Sequence, residues 1–279
     1  MKKFFFLFSY FTFHISYFSF AQNLYDLNNS LLFAEYLTKT KQYNFAAQEY
    51  ERILFLNHDN DTIKLNLISS YKKAGNYSQG IFRTEELYKN ISDLPNSLAI
   101  EYSKLLLLND SFNKAKQFLS LNNNLTSEEK LIMQLNAELL NRKWSTANQL
   151  FNKGYMDTTK FHLLSEYKKI IDEGINLKYK SPALALGFSA IVPGAGKFYT
   201  KDWKDGLIAL ITVGASAWQA YTGFYKKGLN STYGWIYGGI GIGFYTGNLY
   251  GSLKAAKKYN QRINEKVHKK AQEIFNKDL

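Results

Sequence analysis

The sequence predicts an all-α protein: an array of antiparallel helix pairs, then an apolar helical hairpin, then an amphipathic C-terminal helix. Three observations carry this expectation. Between residue 23 and about 175, apolar positions recur at the helical rather than the alternating period, with hardly any proline to interrupt them. An aromatic residue with a small one three positions later returns at Tyr43, Tyr77, Phe112 and Trp144, spacings of 34, 35 and 32 residues. Beyond residue 205, two uncharged stretches of twenty (206–225) and twenty-one (233–253) residues are rich in glycine and aromatics.

Composition bounds the function classes. A chain of 279 residues exceeds one typical domain, and 16% aromatic residues is too rich for disorder. With no cysteine, a disulfide framework, thiolate chemistry, Cys-containing zinc or iron–sulfur sites and a lipid anchor carried on cysteine are all excluded. The net charge of +12 suits nucleic acid or an anionic membrane surface, so its placement along the chain decides between them.

Residues 1–21 read as a secretory signal peptide. Lys2 and Lys3 precede a Phe-rich apolar run, and Ser19 and Ala21 place small residues at −3 and −1 of a cleavage point before Gln22. An uncleaved anchor is the competing reading, since the run is slightly long and carries His14. Either reading exports the adjoining segment.

Residues 22–178 form the expected repeat domain. Ala34, Leu37, Tyr43, Ala46 and Tyr50 define the first unit, with Ile53 closing it. Tyr71, Tyr77 and Gly80 repeat the phase, then Phe112 and Ala115, then Trp144, Ala147 and Phe151. Ala46, Gly80, Ala115 and Ala147 are small because two helices approach closely there, while the large residues bury a continuous core between units. These units resemble tetratricopeptide repeats. They depart from that pattern at Thr84, where a large aromatic is expected, and no unit closes with proline. The resemblance implies a curved helical solenoid that presents a surface to a protein or peptide partner. Tyr36, Tyr71 and Tyr102 lie on first helices, where they either line that surface or pack between repeats. Interleaved charges such as Lys39, Lys41, Glu49, Glu51 and Arg52 read as a solvated helix surface and argue against nucleic acid.

Composition changes after Tyr179. In residues 179–205, the run IVPGAGKFY matches a phosphate-binding G-x-x-x-x-G-K-[ST] loop only at Gly196 and Lys197; Ile191 and Phe198 occupy the first-glycine and hydroxyl positions. It fits better as the broken end of a short apolar segment, re-entrant or interfacial. Residues 206–253 then read as a transmembrane helical hairpin, each arm long enough to cross about 30 Å of hydrocarbon. Gly239, Gly243, Gly247 and Gly251 recur every four residues, opposite Gly206, Gly214, Ala217 and Ala220, a pattern that lets helices approach in lipid.

Pro193, Gly194, Gly196 and Tyr199, followed by an apolar helix, a short loop and a glycine-rich helix, resemble a family of small bacterial two-helix membrane domains marked by P-G-x-G-x-x-Y. Lys197 departs from the uncharged polar residue expected there, while Gly247, Asn248, Tyr250 and Gly251 resemble the family's closing segment. The resemblance implies a membrane-embedded domain without a settled activity.

The tail, 254–279, carries eight Lys or Arg against three acids. Tyr259, Ile263, Val267, Ala271 and Phe275 recur at fours, predicting an amphipathic helix whose cations face water or lipid headgroups. Two crossings return this tail to the exported side, against the positive-inside tendency; a third crossing by 183–199 would place it in the cytoplasm. No catalytic, cofactor or metal residues are expected, because His14, His58, His162 and His268 lie in separate segments without H-E-x-x-H spacing. The functional expectation is a non-enzymatic scaffold or adaptor of the bacterial cell envelope. It is anchored in the inner membrane, with its repeats in the periplasm. The alternative is a membrane component assisting protein insertion or transport through its glycine-rich hairpin.

Overall fold

The computed structural model describes residues 26–57, 59–154 and 161–277, with side chains in the last stretch from residue 164. The expected signal peptide, its cleavage point at Gln22, His14, His58 and the side chain of His162 lie outside the described residues. Among the described residues every regular element is helical, without a strand. Four helix pairs come first: α1 (Leu27–Lys39) and α2 (Tyr43–Leu56), α3 (Asp61–Lys73) and α4 (Tyr77–Leu87), α5 (Asn96–Leu108) and α6 (Phe112–Leu121), α7 (Ser127–Leu140) and α8 (Trp144–Gly154). They are followed by α9 (Phe161–Ile175), α10 (Pro182–Ile191), α11 (Ala195–Tyr199), α12 (Trp203–Lys227) and α13 (Thr232–Lys277).

The turn inside each pair is built the same way. Lys41, Gly75, Asp110 and Arg142 have φ of 60°, 78°, 53° and 59°. The next N–H reaches back five residues, from Gln42 to Leu37 (2.8 Å), Asn76 to Tyr71 (3.0 Å), Ser111 to Leu106 (2.8 Å) and Lys143 to Glu138 (2.8 Å). A left-handed residue thus satisfies the last carbonyls of the first helix, and the recurring aromatic opens the second. The spacing of 34, 35 and 32 residues is therefore also a backbone period.

The chain forms two compact units dividing between Ala137 and Glu138. In the first, Ala34, Leu37, Ala46, Tyr50 and Ile53 share one core cluster. A Cβ at Gly80 would lie 2.9 Å from Leu105 and 3.1 Å from Tyr71, which is why the small position is glycine there. Thr84 is buried and donates to its own helix at Gly80 O (2.7 Å), which satisfies its hydroxyl inside the core. Successive pairs are also bonded to one another in a ladder: Asn76 to Asn44 (2.8 Å), Ser78 to Asn109 (3.0 Å), Arg83 to Glu51 (2.8 Å) and Lys114 to Glu85 (2.6 Å). Of the three tyrosines with two readings, Tyr102 is 1% exposed and donates to Glu85 (2.6 Å), and half-buried Tyr71 donates to Glu51 (3.1 Å). Tyr36 is 56% exposed and stacks on Phe33.

In the second unit Trp144, Ala147 and Phe151 are buried on α8. The unit begins within α7, ahead of the composition change at Tyr179, because α8 and α9 bond to the end of α13. Arg142 pairs with Glu265 (2.6 Å), Trp144 donates to Asn264 (3.3 Å) and Lys270 pairs with Glu173 (2.5 Å). The tail is thus the second half of a 46-residue helix, with Val267, Ala271, Ile274 and Phe275 buried. The two halves of α13 differ in their outward faces, apolar first and cationic later.

Candidate functional site

α12 and α13 run antiparallel and close together. The buried face of α12 is Gly206, Ala209, Val213, Ser216, Ala220 and Gly223, spaced three and four residues apart. Gly223 meets Gly234, Ser216 meets Gly241, and Ala220 faces Gly238. Leu207, Ile208, Ile211, Trp218, Tyr221 and Tyr225 on α12, and Trp235, Ile236, Ile240, Ile242 and Phe244 on α13, point outward and are exposed. The hairpin hides small residues and displays large ones. Among the described residues, Trp203–Asn230 is the one segment long and apolar enough to cross a membrane; Pro182–Ile191 is apolar and shorter.

This seam differs from the expected one. Gly214, Gly239, Gly243 and Gly247 have open space at the Cβ position, and Ala217 is exposed. A four-residue repeat turns about 400° on an α-helix and drifts about 40° per step, whereas two long helices stay in contact along a period near 3.5. Gly234, Gly238 and Gly241 follow the latter, and Gly239, Gly243 and Gly247 of the four-residue stripe fall on the outer face. Gly206 and Ala220 do face inward.

The P-G-x-G segment closes a tight loop against this hairpin. Ser181 caps α10 by accepting from Leu184 N (3.3 Å), and Pro182 occupies the first turn, where its missing N–H costs nothing. α10 descends antiparallel to α13. Lys180 N donates to Asn260 (2.7 Å) and Asn260 donates back to Lys180 O (2.8 Å), while at the far end Tyr245 OH donates to Ala190 O (2.8 Å). At Pro193 and Gly194 the chain reverses, with Gly194 at φ 88°. A Cβ on Gly194 would sit 2.1 Å from Gly206 O, and one on Gly196 only 1.9 Å from Ala185 O. The two glycines are required by backbone contacts, which cannot yield as a side chain can. α11 then returns, and Tyr199 OH accepts from Ser181 N (3.2 Å) under the Lys180 ammonium, 4.4 Å from the ring centroid.

A buried polar lock holds this reversal. Gly194 N donates to Asn248 Oδ1 (3.1 Å), Gly196 N to Ser189 Oγ (2.9 Å), and Ser252 Oγ to Asn248 O (2.9 Å). The Ser189 and Ser252 hydroxyls are 2.6 Å apart. Because Ser252 has given its one proton to Asn248 O, Ser189 is the donor between them. Asn248 Nδ2 is buried without a partner. Of the expected motif residues, Gly194 (just after Pro193), Gly196 and Asn248 therefore come together, Tyr199 closes the other end of the loop on Ser181, and Gly251 lies against the Lys197 stem. Gly239, Gly243 and Gly247 do not join them. Sequence reasoning missed Ser189, Ser252 and Tyr245. The available signal was a lone serine inside the apolar run 183–192 and another four residues after Asn248.

Neither serine is bonded to an acid or base, so the cluster positions backbone rather than activating a nucleophile. Among the described residues no group of three or more His, Asp or Glu side chains could hold a metal. The chain matches no family model, no curated protein and no solved structure.

Proposed function

We propose that this protein is a membrane-anchored scaffold or adaptor of the bacterial cell envelope, recruiting a protein or peptide partner through tetratricopeptide-like repeats. The observation that carries the anchoring is the inverted packing of α12 and α13. Only 28% of the apolar window of α12 is buried, whereas the core helix of a water-soluble protein hides its large side chains. An apolar surface this extensive is expected to face lipid. Residues 233–253 form the second crossing; glycine and tyrosine lower their mean hydropathy, but they carry no charge and follow α12 along its length. The return of Tyr199 to Ser181 favours a re-entrant segment over a third crossing.

The recruiting role rests on the repeat ladder and the recurring left-handed turn, which support a solenoid without chemistry of its own. Leu32, Phe33 and Tyr36 on α1 form its exposed apolar face. The pairing of α9 with the tail supports the reading that both lie on one side of the bilayer, and with an exported repeat domain that reading is an inner-membrane protein with repeats and tail in the periplasm.

Native cysteine is lacking, so single labels report cleanly. A cysteine at Asn276 should react with an impermeant thiol reagent once the outer membrane is permeabilised. One at Asn230 should stay protected until the inner membrane is breached. Labelling of both in intact inner membranes would defeat the spanning hairpin, and reversal would put the tail in the cytoplasm.

The partnerless Asn248 amide at the reversal favours a second reading, a membrane component assisting protein insertion or transport. Asn248→Ala separates the two: a scaffold keeps its partner on co-purification, whereas an insertion component loses its activity with the hairpin still membrane-bound.

A further inference from the structure

We infer that the re-entrant end of the hairpin carries a binding ring for the phosphates of anionic phospholipids, an inference that rests on the membrane reading above. The outward apolar surface of α12 begins at Leu207, and that of α13 ends at Tyr250. Within about two turns of that boundary stand Lys201 and Lys204 on one side and Lys254, Lys257 and Lys258 on the other, all exposed. Lys197 lies between them. Its stem crosses Gly251, with Cε 3.3 Å from where a Cβ would be, and its ammonium is 3.5 Å from Asp205 O. Arg262 bonds Asp202 (3.1 Å) and so ties the α11–α12 turn to α13, which makes these lysines one cluster.

The cluster carries a surplus of positive charge, six lysines against Asp202, which Arg262 takes, and Asp205. Among the described residues none of these six lysines has a carboxylate within ion-pair distance, whereas Arg262 and Lys270 are taken by Asp202 and Glu173. Trp203, 57% exposed, lies between Lys201 and Lys204, with the Lys204 ammonium 5.8 Å from its ring centroid. An amphipathic ring flanked by cations at the edge of an apolar surface matches the headgroup layer. At the opposite end of the hairpin the loop carries only Lys226 and Lys227.

The geometry also divides the basic tail. Because α13 is one continuous helix rising about 1.5 Å per residue, Lys258 stands about 6 Å beyond Lys254, and Lys269 about 22 Å. The latter exceeds the Debye length of about 8 Å at physiological salt. Headgroups therefore engage the first turn past the span, and the distal lysines contribute little. An interfacial helix lying flat would instead use the whole stripe.

The test uses the full chain in detergent, melted with added phosphatidylglycerol, phosphatidylcholine or inorganic phosphate. Phosphatidylglycerol should raise the melting temperature more than phosphatidylcholine, and inorganic phosphate should not reproduce the shift. In Lys201→Gln/Lys204→Gln/Lys258→Gln the phosphatidylglycerol concentration for half the effect should rise on the order of 100-fold. Lys266→Gln/Lys269→Gln should respond as the native chain does. Equal shifts from both lipids, or an unchanged midpoint in the triple variant, overturn the ring. Loss of the effect in the distal variant overturns the upright geometry, and an equal response to inorganic phosphate makes the site one for free phosphate. Failure of the membrane reading is read separately, as release of the native chain from membranes by alkaline carbonate.

Discussion

In the α1–α2 pair, Ala34 and Ala46 allow two helices to approach, and Leu37, Tyr50 and Ile53 fill the space around them. In the α12–α13 pair, Ala209, Ala220, Gly223 and Gly234 also allow a close approach, yet Ile208, Trp218, Ile236 and Ile242 turn away from it. Both pairs use small residues at the crossing; they differ in where the large ones go. In water the large side chains must be inside, since their burial drives folding at about 25 cal/mol per Å². In lipid that drive is lost, and association depends on packing and hydrogen bonds. On the proposed membrane reading, a small residue at a helix crossing reports proximity, and the direction of its large neighbours reports the solvent.

Four substitutions or conditions break or sharpen this contrast. The largest effect is expected at Gly196→Ala, whose methyl group would collide with a backbone carbonyl 1.9 Å away. A loss of about 3 kcal/mol or more, read from melting of the full chain in detergent, is expected because the α10–α11 reversal must open. Ala46→Trp comes next: the site is fully buried beneath Tyr50 and Ile53, and overpacking should cost about 1 to 3 kcal/mol. A melting curve identical to the native one would refute the repeat packing.

The third is a pH effect confined to the repeats. Burial, reinforced by Glu51, pushes the Tyr71 phenol from 10 up to about 12, and burial together with Glu85 raises that of Tyr102. These phenols ionise less readily folded than unfolded, so their contribution to stability is complete below pH 10 and is lost as pH rises through the folded values. Melting temperature should therefore fall from about pH 10 upward, and less steeply in Tyr102→Phe; an identical slope in that variant would mean the Glu85 contact does not persist in solution. The smallest effect is expected at Gly243→Ala on the outer face of α13. With open space at the Cβ, the change should lie between neutral and a gain of up to about 1 kcal/mol from helix propensity, in the same melting assay. A large loss would mean that this face is occupied in the native assembly.

How much of this was legible beforehand differs by region. Tyr43, Ala46 and Tyr50 could be placed because turn and core repeat together, so each unit corroborates the next. The left-handed turn residue itself could not be read, since Lys41, Gly75, Asp110 and Arg142 share no chemistry. Gly194 and Gly196 were legible as a turn because glycine beside proline in an apolar run has few other uses. Their partners were not, because Ser189 and Ser252 lie 63 residues apart.

By itself, then, the sequence determined the helical period, the aromatic–small rhythm, the charge-free lengths of 206–225 and 233–253, and the glycines at the reversal, all of which are local properties of a chain. Tertiary structure alone decided which of two small-residue stripes on α13 meets α12, that α10 and α11 double back to Ser181, and that the basic tail stands on α9. Those outcomes depend on which faces of distant helices fit at close range. Faces related by a rotation of tens of degrees have nearly the same local sequence signature, so only the partner selects between them.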